Sequence, residues 1–184
     1  MRNKILYITR TALMLALLIT LQWATKAFGQ IVTGSCVNGV LAVTALCVGL
    51  PGGITVAVLS PIFAFLLGIA PNVVTVPVIM LGNASYVLIF ALLRKVNWAN
   101  WGIKISALAL ACVAKFSVMY ALVKWVICGV LADGLLAQGV LKPPMLNVLP
   151  TTFGVAQLLT ALLGGALAIV VESALTKIRN REGE

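Results

Sequence analysis

The chain has 184 residues, of which 62% are hydrophobic and 9% are charged, and its formal net charge is +9. A soluble domain is typically about 45–50% apolar and about 25% charged, so this composition excludes a soluble globular protein and indicates an integral membrane protein. The chain has no histidine and four acidic residues, which leaves few candidates for a metal site or for acid–base catalysis. We therefore expect neither an enzyme nor a bound cofactor or metal.

Apolar stretches of membrane length predict an all-α protein with about six transmembrane helices in one bundle, forming a single transmembrane domain over residues 1–184. In chain order we place the spans at residues 5–28, 36–48, 53–69, 73–93, 101–130 and 151–176. The second span looks short for a full crossing, after a loop at 29–34. The longest connection, 131–150, is expected to be an outer loop.

The basic residues gather in three clusters rather than in one nucleic-acid-binding patch. Nine of the thirteen lie near the N-terminus, after the fourth span or at the C-terminus: Arg2, Lys4, Arg10, Arg94, Lys95, Lys104, Lys177, Arg179 and Arg181. In a six-span protein with both ends inside, all three clusters face the cytoplasm, as the positive-inside rule requires. The charge therefore predicts cytoplasmic N- and C-termini and a lipid-bilayer setting, with no nucleic-acid partner.

Lys115 is the most informative polar residue within a predicted span, because a charge inside a bilayer is costly. It follows Lys104 by eleven residues, hence by about 16 Å of helix, which places it near mid-membrane or in the outer half. No acidic residue lies at a matching depth, and Glu172 is better placed to pair with Lys104. Lys115 therefore faces either a negative or strongly polar ligand group, or a wet internal packing site.

Amide and aromatic side chains add to this hypothesis. Asn83 lies halfway along the fourth span, where a buried amide offers both a donor and an acceptor to a ligand or joins neighbouring helices. We predict a cavity that opens outward and is lined by Lys115, Asn83, Gln157, Asn147, Tyr86 and Gln22.

Small residues repeat at a spacing of four on several spans, which lets helices approach closely. The first span carries Ala12 and Ala16. The same spacing occurs in the third, fifth and sixth spans, at Ser60/Ala64/Gly68, Ala107/Ala111, Ala161/Gly165 and Gly164/Ala168. Such pairs usually serve internal packing, so spacing alone does not distinguish Ala12 and Ala16.

A six-span chain of this length, with a basic N-terminus and Ala12 and Ala16 in its first helix, resembles the substrate-binding S component of energy-coupling factor (ECF) vitamin transporters. The resemblance covers the whole chain in architecture but only this A-x-x-x-A pattern in motif. It implies a bacterial plasma-membrane protein that binds a vitamin-like small molecule. That molecule can be neutral or anionic. The Ala12/Ala16 face would dock on a membrane scaffold subunit coupled to two ATPase subunits.

Two other interpretations stay open. As a stand-alone secondary transporter, a single copy of the chain would be small, and it lacks an internal repeat and a mid-membrane carboxylate for proton coupling. A homodimeric transporter meets these objections. A non-transport assembly protein would use Lys115 and Asn83 only to join helices. ATP hydrolysis by this chain is not expected, because it has no G-x-x-x-x-G-K-[ST] motif.

Overall fold

The computed structural model describes residues 2–70 and 72–182, and every regular element in this part of the chain is helical. The helices are α1 (Arg2–Thr25), α2 (Gln30–Cys47), α3 (Leu50–Leu66), α4 (Thr75–Leu93), α5 (Trp101–Ala121), α6 (Ala132–Ala137), α7 (Met145–Thr152) and α8 (Val155–Glu182). A 3₁₀ turn at Lys26–Phe28 extends α1, and π-helical turns at Leu122–Val130 extend α5.

Five helical stretches in the described residues are long and apolar enough to cross a membrane, and α3, at 17 residues, is a shorter apolar helix. Their outward faces carry large apolar side chains, such as Leu13, Leu81, Leu110 and Leu167, each more than half exposed. Such surfaces suit lipid, and helices satisfy their backbone hydrogen bonds internally as a bilayer requires. The predicted fold class, an all-α membrane protein with about six spans, is confirmed. The side of the membrane on which the termini lie stays a prediction.

The six long helices alternate in direction, so the bundle has two distinct ends. At one end the start of α1 lies beside the start of α3. A Cβ added to Gly52 would lie 3.1 Å from the Tyr7 hydroxyl oxygen. The same end holds the start of α5 and the last part of α8, where Lys104 pairs with Glu172. We call this the basic end, and the opposite end the cavity end. Both the start of α1 and the end of α8 therefore lie at the basic end.

Single glycines make the first two connections shorter than the sequence predicted. Gly29 and Gly49 have φ of 84° and 105°, values that residues with a side chain rarely adopt. Gly29 lets α2 begin at Gln30, so the predicted loop at 29–34 is wrong. Gly49 likewise lets α3 begin at Leu50. Pro51 lies in the first turn of α3, a position that suits proline.

Residues 131–150, predicted as a long loop, contain α6 and most of α7, and α8 begins only at Val155. The reason is an apolar cluster at the cavity end. Leu141, Leu149 and Phe153 are buried against Met119 and Val123 of the long α5 helix and its extension. Burial of these apolar residues holds the segment against the bundle, and parts of it form the short helices α6 and α7. The predicted fifth span, by contrast, is confirmed as one continuous stretch, Trp101–Val130.

The main core fills the bundle between the two ends and depends on close approach of α2 and α8. A Cβ added to Gly164 would lie 2.6 Å from the backbone nitrogen of Gly39. Ala161, Gly165 and Ala168 of α8 are also buried. The small residues of α8 therefore serve internal packing, as predicted. α1 differs, because 11% of the residues in its most apolar 18-residue segment are buried, against 50% of those in α2.

A candidate ligand-binding cavity

A cavity of about 450 Å³ lies at the cavity end, among residues of α1–α5, α7 and α8. This volume is within the range of about 300–1,000 Å³ that is usual for small-molecule sites. Its walls combine apolar side chains with a few polar ones, which include Gln22, Gln30, Asn38, Asn83, Lys115 and Gln157. The combination is typical of a site that binds a small organic molecule and orients it.

Lys115 is 2% exposed and its ammonium group is held by two amide oxygens. Nζ donates to Asn38 Oδ1 at 2.5 Å and to Asn83 Oδ1 at 2.7 Å. Because an ammonium group can only donate, both amides must turn their oxygens toward it. Two amide carbonyl oxygens thus solvate a lysine that has no carboxylate partner.

Asn38 is the site residue that the sequence analysis missed. Its Nδ2 donates to Thr160 Oγ1 at 3.1 Å, and that hydroxyl donates to the Gln157 carbonyl at 3.1 Å. Asn38 thus connects Lys115 on α5 with α8. The signal that could have identified it was the same as for Asn83, an amide in the middle of an apolar helix.

Tyr86 lies beneath Lys115 and does not line the cavity. Lys115 Nζ is 5.6 Å from the centroid of its ring, a distance at which an aromatic face attracts a cation. The Tyr86 hydroxyl donates to the Ala161 carbonyl at 2.9 Å, and the ring packs edge-on against Phe90. Tyr86 therefore supports and positions Lys115 from below.

Within the described residues, three buried polar atoms of the cavity wall have no hydrogen-bond partner: Gln22 Oε1, Ser60 Oγ and Asn83 Nδ2. A fourth such atom, Tyr7 Oη, lies near the basic end. A buried polar group without a partner costs about 1–3 kcal/mol. Three of them around one cavity form a place where a bound molecule or an ordered water can supply the missing partners.

The predicted site residues divide into three groups. Lys115, Asn83, Gln157 and Gln22 all line the cavity, and Tyr86 lies beneath it. Asn147 is exposed on α7 and is not part of the cavity wall. α7 buries Leu149, and a residue two positions earlier on a helix points to a different side.

The charges of the cavity wall are positive. Besides Lys115, the exposed Lys26 lines the cavity, and the described residues of the wall include no acidic one. In the described part of the chain, no group of three or more His, Cys, Asp or Glu side chains could hold a metal ion. The electrostatics of the site therefore favour an acceptor or an anion.

The basic end has its own polar cluster. Lys104 Nζ lies 3.5 Å from Glu172 Oε2, which confirms the predicted pair, and it donates to Ser173 Oγ at 2.8 Å. Glu172 also accepts from Trp98 Nε1 at 2.9 Å and from Thr176 Oγ1 at 3.0 Å. This cluster joins α8 to the first turn of α5 and to the segment that connects α4 and α5.

Ala12 and Ala16 are both exposed on the outer face of α1, on a helix that contributes little to the core. No protein-family model, curated protein or solved structure matches this chain. The residues and their geometry are therefore the basis for the functional argument.

Proposed function

We propose that this chain is the substrate-capture (S component) subunit of an ECF-type, ATP-driven micronutrient importer in the bacterial plasma membrane. It binds a vitamin-like small molecule in the cavity and docks, through Ala12 and Ala16, on a membrane scaffold subunit that is coupled to two ATPase subunits. The chain itself catalyses no reaction.

One observation carries the proposal: the bundle has a polar cavity at one end and a packed core below it. Lys115 and the unpartnered atoms of Gln22, Ser60 and Asn83 give the cavity the properties of a binding site. Tyr86, Phe90 and Leu41, each fully buried, fill the bundle beyond it. Such an arrangement favours binding of a small molecule over its passage through the bundle. Release of the molecule on the other side of the membrane therefore needs a partner protein or a large movement.

The exposed face of α1 favours a partner protein for this release. Ala12 and Ala16 leave a shallow groove on which another transmembrane helix can pack closely. A capture subunit that is moved by an energised partner needs such an outward contact surface. In a protein that worked alone, this face would meet only lipid.

Uptake measurements test the proposal. The molecule that co-purifies with the tagged chain is identified by mass spectrometry, and its uptake is followed in cells that express the chain with or without scaffold and ATPase subunits. We expect the chain alone to bind the molecule and uptake to require ATP hydrolysis by the partners. Uptake without any ATPase subunit that collapses with the ion gradient would instead establish a secondary transporter.

A further inference from the structure

We infer that the ligand of the cavity is an organic monocarboxylate, which enters with its carboxylate first and is received by Lys115 Nζ and Asn83 Nδ2. The inference rests on the proposed function only in taking the cavity as the capture site. It adds the chemical class of the captured molecule and the orientation in which it binds.

The first step is the orientation of the Asn83 amide. Its oxygen accepts from Lys115 Nζ at 2.7 Å, and an ammonium group cannot accept a hydrogen bond from Nδ2. This fixes the amide, so Nδ2 must be the group without a partner. Asn83 is 1% exposed and lines the cavity, so its free N–H groups need an acceptor from a bound molecule.

The second step is the charge of Lys115. An ammonium group has three N–H donors, and the amide oxygens of Asn38 and Asn83 accept from two of them. Both oxygens are neutral, so they solvate the charge without cancelling it. The ion pair found in the described residues is Lys104–Glu172 at the basic end. The remaining N–H and the positive charge are therefore left for a ligand anion.

The third step is the shape of the anion. Lys115 Nζ donates to Oδ1 of the amide group that also carries Nδ2, so the two donors lie within a few ångströms of each other. A planar carboxylate, with two oxygens, can accept from both at once. A phosphate dianion would bring a second charge into a site with one buried cation, and an uncompensated buried charge is costly.

The fourth step concerns the rest of the molecule. Above the two donors the wall is largely apolar, with Val37, Ile69, Ile79 and Phe153 among its residues. This part suits an aromatic or aliphatic body. Lys26, exposed at the rim, adds positive charge that attracts an anion during its approach.

Pairs of related compounds test the inference. The probes are small aromatic and aliphatic monocarboxylates, each with its primary amide and a phosphate monoester of similar size. Binding to the purified full chain is measured by the rise in melting temperature and by titration. We expect at least one acid to bind about tenfold or more tightly than its amide, as expected for a charge-assisted hydrogen bond. No acid preferred over its amide, or a preferred phosphate ester, would overturn the inference.

Asn83→Asp is the decisive variant. It keeps the shape of the side chain but provides an internal carboxylate for Lys115 and removes the Nδ2 donor. We expect the preference for the acid over its amide to be lost while the chain stays folded. Lys124→Gln, in the continuous stretch Trp101–Val130 that also carries Lys115, is the control. Lys124 is exposed and lies outside the cavity wall, so this variant should keep the preference. An acid preference that survives the Asn83→Asp substitution contradicts the inference.

The two proposals can fail separately. If uptake depends on the ATPase subunits but the co-purified molecule is neutral or cationic, the capture function stands and the carboxylate assignment is wrong. If acids are preferred but uptake proceeds without ATPase subunits, the assignment stands and the transporter class is wrong.

Discussion

Two helix faces in this molecule have the same spacing of small residues and opposite surroundings. On α8, Gly164 and Ala168 are buried, and the backbone of α2 lies against Gly164. On α1, Ala12 and Ala16 are exposed. Spacing thus provides the capacity for close approach, and the rest of the fold determines whether that capacity is already used. The pair on α1 is the one still free to meet lipid or another chain.

The largest effect is expected from filling the α8 face. Gly164→Leu places a side chain where even a Cβ would lie 2.6 Å from Gly39 N. Backbone cannot give way as a side chain can, so we expect little or no folded protein, measured as the monodisperse fraction after detergent extraction. Ala166→Leu is the matched control, because Ala166 is exposed on the same helix and should fold normally. Normal folding of the Gly164 variant would contradict the close packing.

Larger side chains on the α1 face should leave folding intact and prevent binding of the scaffold subunit. In the double variant Ala12→Leu, Ala16→Leu, both substitutions are on exposed positions, so yield, melting temperature and ligand binding should match the wild type. We expect co-purification of the scaffold subunit to be lost and ATP-driven uptake to fall to background. Ala109→Leu, exposed on α5, is the control that should keep both. Undiminished uptake in the double variant would refute docking through this face.

A smaller effect is expected at the basic end, where α8 is joined to α5 by charge rather than by small residues. Lys104→Met removes one partner of Glu172, which still accepts from Trp98 and Thr176. We expect a loss of about 1–3 kcal/mol in the free energy of unfolding, seen as a lower melting temperature. Lys95→Met, exposed nearby, should change little. Equal stability of the two variants would show that the Lys104–Glu172 pair adds nothing to the free energy of unfolding.

The position of a residue along its span could be predicted from the sequence, and this is why much of the cavity was found. Asn83 and Lys115 lie near the middle of their predicted spans, and Gln22 and Gln157 lie closer to the ends of theirs, yet all four line one cavity. The direction in which a side chain points around its helix was harder to predict. Tyr86, one turn from Asn83, is consequently beneath the cavity rather than in its wall.

The residues that were missed share a physical cause. The sequence analysis started the second span at residue 36, which places Asn38 in its first turn near the outer surface. Gly29 starts α2 at Gln30 instead and sets Asn38 two turns inside the helix, beside Lys115. Asn147 was misplaced for a related reason. A segment predicted as a loop folds into α7, where burial of Leu149 leaves Asn147 exposed.

The single-residue link at Gly29 has a mechanical consequence. α1 ends and α2 begins with one short 3₁₀ turn and this glycine between them, and Thr33 Oγ1 donates to the Thr25 carbonyl at 2.8 Å across the junction. There is no slack loop to absorb a displacement. A partner that pulls on the outer face of α1 therefore pulls on Gln22 and Asn38 in the cavity wall as well.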